Sequence, residues 1–188
     1  TYRQELLRYV NLSSPRWRGF IWEGMAFASG GKGLRAEMEG FKDGPDGDYI
    51  WTRDAAQRKI MLKIKEKRPD AIFEAFSNSC PYYMTYSGCC AGNTDAGADN
   101  LRPEYYEEFA HYLVDVCRHY KEVYGIEFRT LSPFNEPMTS YWGANGGQEG
   151  CHFDVDSQIE FLKVLHPILE ASGLNTVISA SEETDAAQ

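Results

Sequence analysis

From residue 50 onward, helix-like and strand-like segments alternate along the chain, and this alternation constrains the fold more than any other feature. Short apolar runs typical of strands cover residues 71–78, 128–134 and 175–181. Helical spacing of apolar residues covers residues 52–69, 101–125 and 155–173. Repeated strand–helix–strand units of this kind predict a parallel sheet with right-handed crossovers.

Helix boundaries can also be assigned from the sequence. Thr52 is the expected N-cap of the first helix, and Gly125 is expected to end the second. The second helix carries an apolar stripe at helical spacing, made of Phe109, Leu113, Val116, Tyr120 and Val123. Such a stripe indicates one face packed against a sheet.

The connections differ in length according to what they follow. The segments after strands are long and rich in Gly, Asn and Tyr, as in "CPYYMTYSGCCAGNTDAGADN", whereas "RPD", "YGIE" and "SGLN" after helices are tight. In a (β/α)8 barrel the active site is built from the loops after the strands. A doubly wound sheet is the alternative, but no Gly-rich phosphate turn follows a strand. We therefore predict an α/β chain of the (β/α)8 (TIM) barrel class.

The number of barrel units depends on the first fifty residues. "LLRYVNL" and "GFIWEGMAF" have the composition of strands, although no helix is evident between them. Together with the three later strands they give about five βα units. Residues 1–188 are then expected to form the N-terminal portion of one (β/α)8 domain, with the remaining strands lying outside them.

The charge and aromatic content of the chain limit the kinds of ligand that it is expected to bind. The formal net charge is −9, which disfavours nucleic acid and anionic membranes as ligands. No apolar run approaches the length of a membrane span. Aromatic residues make up 14% of the chain, with twelve Tyr and four Trp. An acidic, aromatic-rich cleft suits a neutral polyhydroxylated ligand, but Tyr packing at core edges explains the same composition.

Polar residues collect where three predicted strands end. They are Ser77, Asn78 and Ser79 after the first, Asn135 and Glu136 after the second, and Ser179, Ser181, Glu182 and Glu183 after the third. Adjacent parallel strands end at the same edge of a sheet, so we expect one rim to carry all of them.

Glu136 is the most unusual of these residues. It follows an apolar strand and lies between Asn135 and Pro137. A carboxylic acid at a partly desolvated rim suits general acid catalysis, and the Asn135 amide offers a donor and an acceptor for a sugar hydroxyl. A strand-terminating turn with a solvated acid is the alternative. The fold pattern and the flanking aromatics favour the catalytic interpretation.

The segment "LSPFNEP" resembles the acid/base strand of the retaining glycosidases built on (β/α)8 barrels. Longer segments, "EGFKDGPDGDYIWTRDAAQRKIMLKIKE", "DAIFEAFSNSCPYYMTYSGCCAGNTDAGADNLRPEYYEEFAHYL", "GIEFRTLSPFNEPMTSYWGANGGQEGCHF" and "ISASEET", resemble glycoside hydrolase family 30. Within that family they are most similar to endo-β-1,6-galactanases. The resemblance covers roughly residues 39–185.

The resemblance implies roles for named residues. Glu136 would be the acid/base and Asn135 would hold the hydroxyl next to the anomeric carbon. The other expected substrate contacts are Tyr83, Trp142, Ser77, Asn78 and Glu182. One departure is "SNSCPYYM", where relatives usually read "SNSPPYWM", so Cys80 and Tyr83 are expected to alter the sugar subsite.

The implied reaction is cleavage of β-linked galactan by double displacement, with the nucleophile on a seventh strand beyond the 188 residues. No cofactor or metal is expected, and the partner is a polysaccharide or oligosaccharide. An extracellular, periplasmic or cell-surface location is expected. Two alternatives stay open: a family member acting on a glucoside, xylan or fucoside, and a non-catalytic carbohydrate-binding relative.

Five cysteines cannot all pair within the chain. Cys117 lies in a helical pattern and is expected to be a buried small apolar residue. Cys89 and Cys151 lie in the two long Gly-rich loops and are candidates for a disulfide that joins them, although spacing alone leaves the pairing open. For His152, which follows Cys151, contact with a ligand is left open.

Overall fold

The computed structural model describes residues 16–20, 40–146 and 148–185, with only the backbone of the first range described. Four parallel strands form one sheet in the order β1-β2-β3-β4. Their bounds are Arg16–Phe20 (β1), Ile72–Phe76 (β2), Phe128–Ser132 (β3) and Val177–Ile178 (β4). Chain order equals spatial order, as in a barrel wall, whereas a doubly wound sheet reverses direction from its switch point.

The three strands expected after residue 70 are therefore present, each shorter than predicted. Of the two strands expected in the first fifty residues, the described part of the chain contains one, β1, which begins before "GFIWEGMAF". The "LLRYVNL" segment lies outside the described residues. The described residues thus contain four strands, and the fifth predicted unit stays a prediction.

Helices α1 (Ala55–Lys67), α2 (Tyr106–Tyr124) and α3 (Val155–Ala171) alternate with the strands, and short 3-10 helices cover Tyr82–Met84 and Pro103–Tyr105. Gly125 ends α2 in the left-handed conformation, as predicted. Thr52 is not the N-cap of α1, because that position belongs to Asp54. Among the described residues, no helix combines the length and apolarity required to cross a bilayer.

The core lies between the sheet and helices α2 and α3. The α2 stripe is buried at four of its five predicted positions, and Val123 is 58% exposed because it lies on the last turn. Phe109 of this stripe packs on Phe161 of α3, with ring centroids 5.2 Å apart. Leu131 at the centre of the sheet and Cys117 of α2 are fully buried, the latter as predicted.

The carboxyl ends of three adjacent strands are tied together by backbone hydrogen bonds. Ser77 donates to the carbonyl of Ser132 at 2.9 Å, and Ser179 donates to the carbonyl of Leu131 at 2.9 Å. These bonds place the polar residues after β2, β3 and β4 at one rim. A cavity of about 220 Å³ lies at the opposite end of β2 and β3, between Asp70 and Asn175, away from the rim where barrel enzymes bind substrate.

Candidate active site

Glu136 lies at the carboxyl-end rim in a left-handed backbone conformation, with φ of 48°. A side chain other than glycine in this region costs on the order of 1–3 kcal/mol and persists where its surroundings enforce it. Three donors reach the Glu136 carbonyl: the Thr139 amide at 3.2 Å, the Thr139 hydroxyl at 2.8 Å and the Trp142 indole N–H at 3.0 Å. The turn after β3 is therefore built around the presentation of Glu136.

A fourth contact joins this turn to the next strand. The Glu136 amide donates to the carbonyl of Glu182 at 2.8 Å, just after β4. The backbone of Glu136 is consequently held on both its N–H and its C=O. Its side chain is only partly buried. The main chain of Glu136 is therefore fixed, while its carboxylate is accessible to a ligand.

The carboxylate of Glu136 has one neighbour that orients it. The Tyr141 hydroxyl donates a short hydrogen bond to Oε2, while Oε1 accepts no hydrogen bond from another described residue. Partial burial, followed by the hydrogen bond to Glu136, raises the pKa of Tyr141 above the ordinary tyrosine value. The hydroxyl therefore remains a donor over the pH range of most enzymes, and one carboxylate oxygen is anchored while the other is left to exchange a proton.

Asn135 precedes this acid and is also partly buried. Its side-chain amide makes no hydrogen bond to another described residue, so both its donor and its acceptor are available to a ligand. An acid and an unoccupied amide on adjacent residues at a barrel rim are suited to hold a hydroxylated substrate and protonate it.

Comparison with known proteins identifies the family of this chain. The sequence profile of O-glycosyl hydrolase family 30 matches residues 17–187. The chain belongs to glycoside hydrolase family 30. It is 35% identical over 153 residues to an endo-β-1,6-galactanase of Hypocrea rufa, which covers 78% of this chain and 31% of that protein.

Two further relatives support the family 30 assignment. An exo-β-1,6-galactobiohydrolase of Bifidobacterium longum subsp. longum is 35% identical over 111 residues, covering 58% of this chain and 7% of that protein. The crystal structure of a conserved exported protein from Bacteroides fragilis superposes with a TM-score of 0.80 at 30% identity, covering 91% of this chain and 34% of that one. The chain thus spans about a third or less of the length of these relatives.

Four predicted substrate contacts of the family 30 chain make contacts within the protein, and their contact with a sugar stays a prediction. Trp142 is 3% exposed and supports the Glu136 turn, so its ring presents no open face to a sugar. Ser77 is fully buried and donates to the carbonyl of Ser79 at 2.7 Å. Asn78 is buried and donates to Glu149 at 3.0 Å. Glu182 does reach Glu136, through its backbone carbonyl.

Tyr83, a further predicted substrate contact, packs against neighbouring aromatic rings. Its ring packs edge-on against Tyr82 and Tyr105, at centroid distances of 5.7 and 6.4 Å. Burial, followed by the nearby Glu108 carboxylate, raises the pKa of its hydroxyl. The ring therefore lies beside the start of α2, and its contact with a sugar stays a prediction.

The predicted Cys89–Cys151 disulfide is not formed, and both residues are buried free thiols. The Cys89 sulfur points to the carbonyl of Ala144 at 3.5 Å. The Cys151 sulfur instead lies 3.7 Å from that of Cys80. The loops do meet, as the prediction required, but in a register that brings a different cysteine to Cys151.

His152 supports the Glu136 turn from behind. It is 4% exposed, and its Nδ1 lies 2.8 Å from the carbonyl of Thr139, the residue that donates twice to Glu136. Its Nε2 lies 3.2 Å from Asp154. The sequence leaves its ligand contact open, and the structure places its ring against the Glu136 turn.

The acidic neighbours of His152 are Asp154, at the start of α3, and Asp99, in the loop after β2. Donor atoms of Asp99, His152 and Asp154 lie within 4.8 Å of one another, close enough to share a cation. Asp99 accepts the Asp154 amide at 2.7 Å and bonds the Ser157 hydroxyl. Asp99 thus ties the loop after β2 to the start of α3.

The sequence predicts no role for the hydroxyl of Tyr141, and its contribution to catalysis can be tested by substitution. Tyr141→Phe is expected to lower kcat/KM about tenfold, since a hydrogen bond to a charged group stabilises by about 1.5–3 kcal/mol and this one is partly solvent-screened. Thermal stability should change little because Tyr141 is 56% exposed. Tyr86→Phe, at 59% exposure, is the matched control and should keep full activity. Equal activity of the two variants would remove Tyr141 from the site.

Proposed function

We propose that the protein containing this chain is a retaining glycoside hydrolase that cleaves internal β-1,6-linkages of galactan. The observation that carries the proposal is the backbone of Glu136, held in a left-handed turn at the rim with Tyr141 on one carboxylate oxygen. The likeness to an endo-β-1,6-galactanase over 78% of the chain supports the choice of substrate.

In this proposal Glu136 donates a proton to the leaving glycosidic oxygen and then takes one from the incoming water. Asn135 holds the hydroxyl beside the anomeric carbon. Double displacement requires a second carboxylate about 5–5.5 Å from the first. Among the described acids near Glu136, Glu183 is engaged by the Met138 amide and by Gln158, and Glu149 is fully buried. As the family resemblance implies, the nucleophile is proposed to come from a later strand of the complete protein.

Substrate choice is tested with the complete protein and four polysaccharides: β-1,6-galactan, β-1,3-galactan, β-1,6-glucan and β-1,4-xylan. The expected result is a preference of at least about tenfold for β-1,6-galactan, since subsites built around hydroxyl contacts discriminate strongly. A faster rate on another glycan would overturn the substrate. Tight binding of galactan without release of any product would indicate a carbohydrate-binding relative instead.

The second relative, named an exo-β-1,6-galactobiohydrolase, supports one further candidate mode. An endo-acting enzyme releases products of mixed length at early times, whereas an exo-acting enzyme releases a single short product. Chromatography of early products separates the two modes. We propose the endo mode and an extracellular, periplasmic or cell-surface location, where polymeric galactan is accessible.

A further inference from the structure

The two long loops at the rim meet in a regular register. Asn78 donates to the Glu149 carboxylate at 3.0 Å, and the Ser79 hydroxyl donates to the carbonyl of Gly150 at 3.1 Å. The next pair in the same register is Cys80 and Cys151. Three successive residues after β2 therefore face three successive residues of the loop after β3.

The third pair brings two thiols together. The sulfur atoms of Cys80 and Cys151 are 3.7 Å apart, and the residues are 0% and 2% exposed. A disulfide needs a sulfur separation of about 2.05 Å, so the remaining approach is less than 2 Å. The two hydrogen-bonded pairs that precede the cysteines hold both backbones in place. Rotation of the two cysteine side chains therefore supplies most of that approach.

We propose that Cys80 and Cys151 are a modification site at which a disulfide oxidant forms a covalent cross-link between the two rim loops. Cys89 and Cys117 are less well placed. Cys89 is directed to the carbonyl of Ala144 at 3.5 Å, and Cys117 lies in the core face of α2.

The reaction balances with a small disulfide such as oxidised glutathione. Because both thiols are buried, the reaction proceeds through local opening of the loops. One protein thiolate then attacks the oxidant, forming a mixed disulfide and releasing one glutathione thiolate. The second protein thiolate then attacks the mixed disulfide and releases the second glutathione. The protein loses two protons and two electrons, and the oxidant is reduced to two thiols.

The cross-link lies behind the Glu136 turn. Cys151 precedes His152, whose ring holds the carbonyl of Thr139, and Thr139 holds the carbonyl of Glu136. The bond therefore braces the loop after β3 against the loop after β2. Because it closes a loop of about 70 residues, it is expected to raise the unfolding temperature by about 5 °C or more.

The test equilibrates the complete protein with oxidised glutathione for a day, alkylates remaining thiols and maps peptides by mass spectrometry. The expected product is a peptide pair joined through Cys80 and Cys151, lighter than the two thiol peptides by two hydrogen atoms. Cys80→Ser should abolish that pair and the gain in unfolding temperature, whereas Cys89→Ser should retain both.

Three outcomes would overturn the proposal. They are full alkylation of both thiols after oxidation, a linked pair joining Cys89 to Cys151, and an oxidative gain in unfolding temperature that survives in Cys80→Ser. Peptide mapping detects the disulfide without any measurement of enzymatic activity. It therefore tests the cross-link separately from the proposed substrate.

Discussion

Glu136→Gln is expected to slow cleavage of β-1,6-galactan by about 10²–10⁴-fold, the range that a positioned general acid contributes. Glutamine is nearly isosteric with glutamate and keeps an oxygen to accept the Tyr141 hydroxyl, so the turn should be preserved. It carries no acidic proton for the leaving oxygen. Initial rates of reducing-end release, compared with thermal unfolding of the same sample, measure the effect.

Glu183→Gln is the matched control for this substitution. Glu183 lies at the same rim but its carboxylate oxygens accept from the Met138 amide at 3.2 Å and from Gln158 at 3.3 Å. These contacts indicate a structural role, so the Glu183→Gln variant should cleave galactan within about tenfold of the unmodified protein. A Glu136→Gln rate as high as that of Glu183→Gln would show that Glu136 is not the proton donor.

Gly150→Ala is expected to reduce both stability and activity, although Gly150 itself carries no reactive group. An added Cβ would lie 2.1 Å from Cε3 of the buried Trp142 ring, well inside contact distance. Trp142 cannot retreat without disturbing the 3.0 Å hydrogen bond to the Glu136 carbonyl. Overpacking of a buried site costs about 1–3 kcal/mol, and misplacement of the acid should lower kcat/KM as well.

The matched control for Gly150→Ala is Gly143→Ala, beside the same tryptophan. A Cβ at Gly143 would meet only Ala96, at 3.9 Å, an ordinary contact. Denaturant unfolding and kcat/KM should therefore change little in this variant. If the two alanine variants had the same unfolding free energy, Trp142 would not be the rigid support described here.

Much of the fold follows from the sequence because its signals are local. Apolar runs mark β2, β3 and β4, and Gly125 marks the end of α2 through its left-handed φ. The start of α1 was misassigned because Asp54 adopts a left-handed φ of 54° and accepts the Gln57 amide. That choice depends on surroundings rather than on cap propensity, which also favours Thr52.

The rim position of Asn135 and Glu136 is predictable from the sequence, but their supporting contacts are not. A polar pair after an apolar strand identifies Asn135 and Glu136, because strand ends meet at one rim. The hydrogen bond from Tyr141 forms only because the turn after β3 brings Tyr141 next to Glu136. The burial of Trp142 depends on its close packing against Gly150. Likewise, the pairing of Cys151 with Cys80 is set by loop register, which residue spacing does not encode.

The most direct test of the central claim measures first-turnover phenol release from aryl β-1,6-galactobiosides whose phenols differ in acidity. A strongly acidic phenol departs without protonation, whereas a weakly acidic one requires the general acid. The account predicts that Glu136→Gln stays within about tenfold of the unmodified protein on the most acidic phenol and loses about 10²–10⁴-fold on the least acidic. An equal loss across the whole series would contradict the assignment of Glu136 as the proton donor.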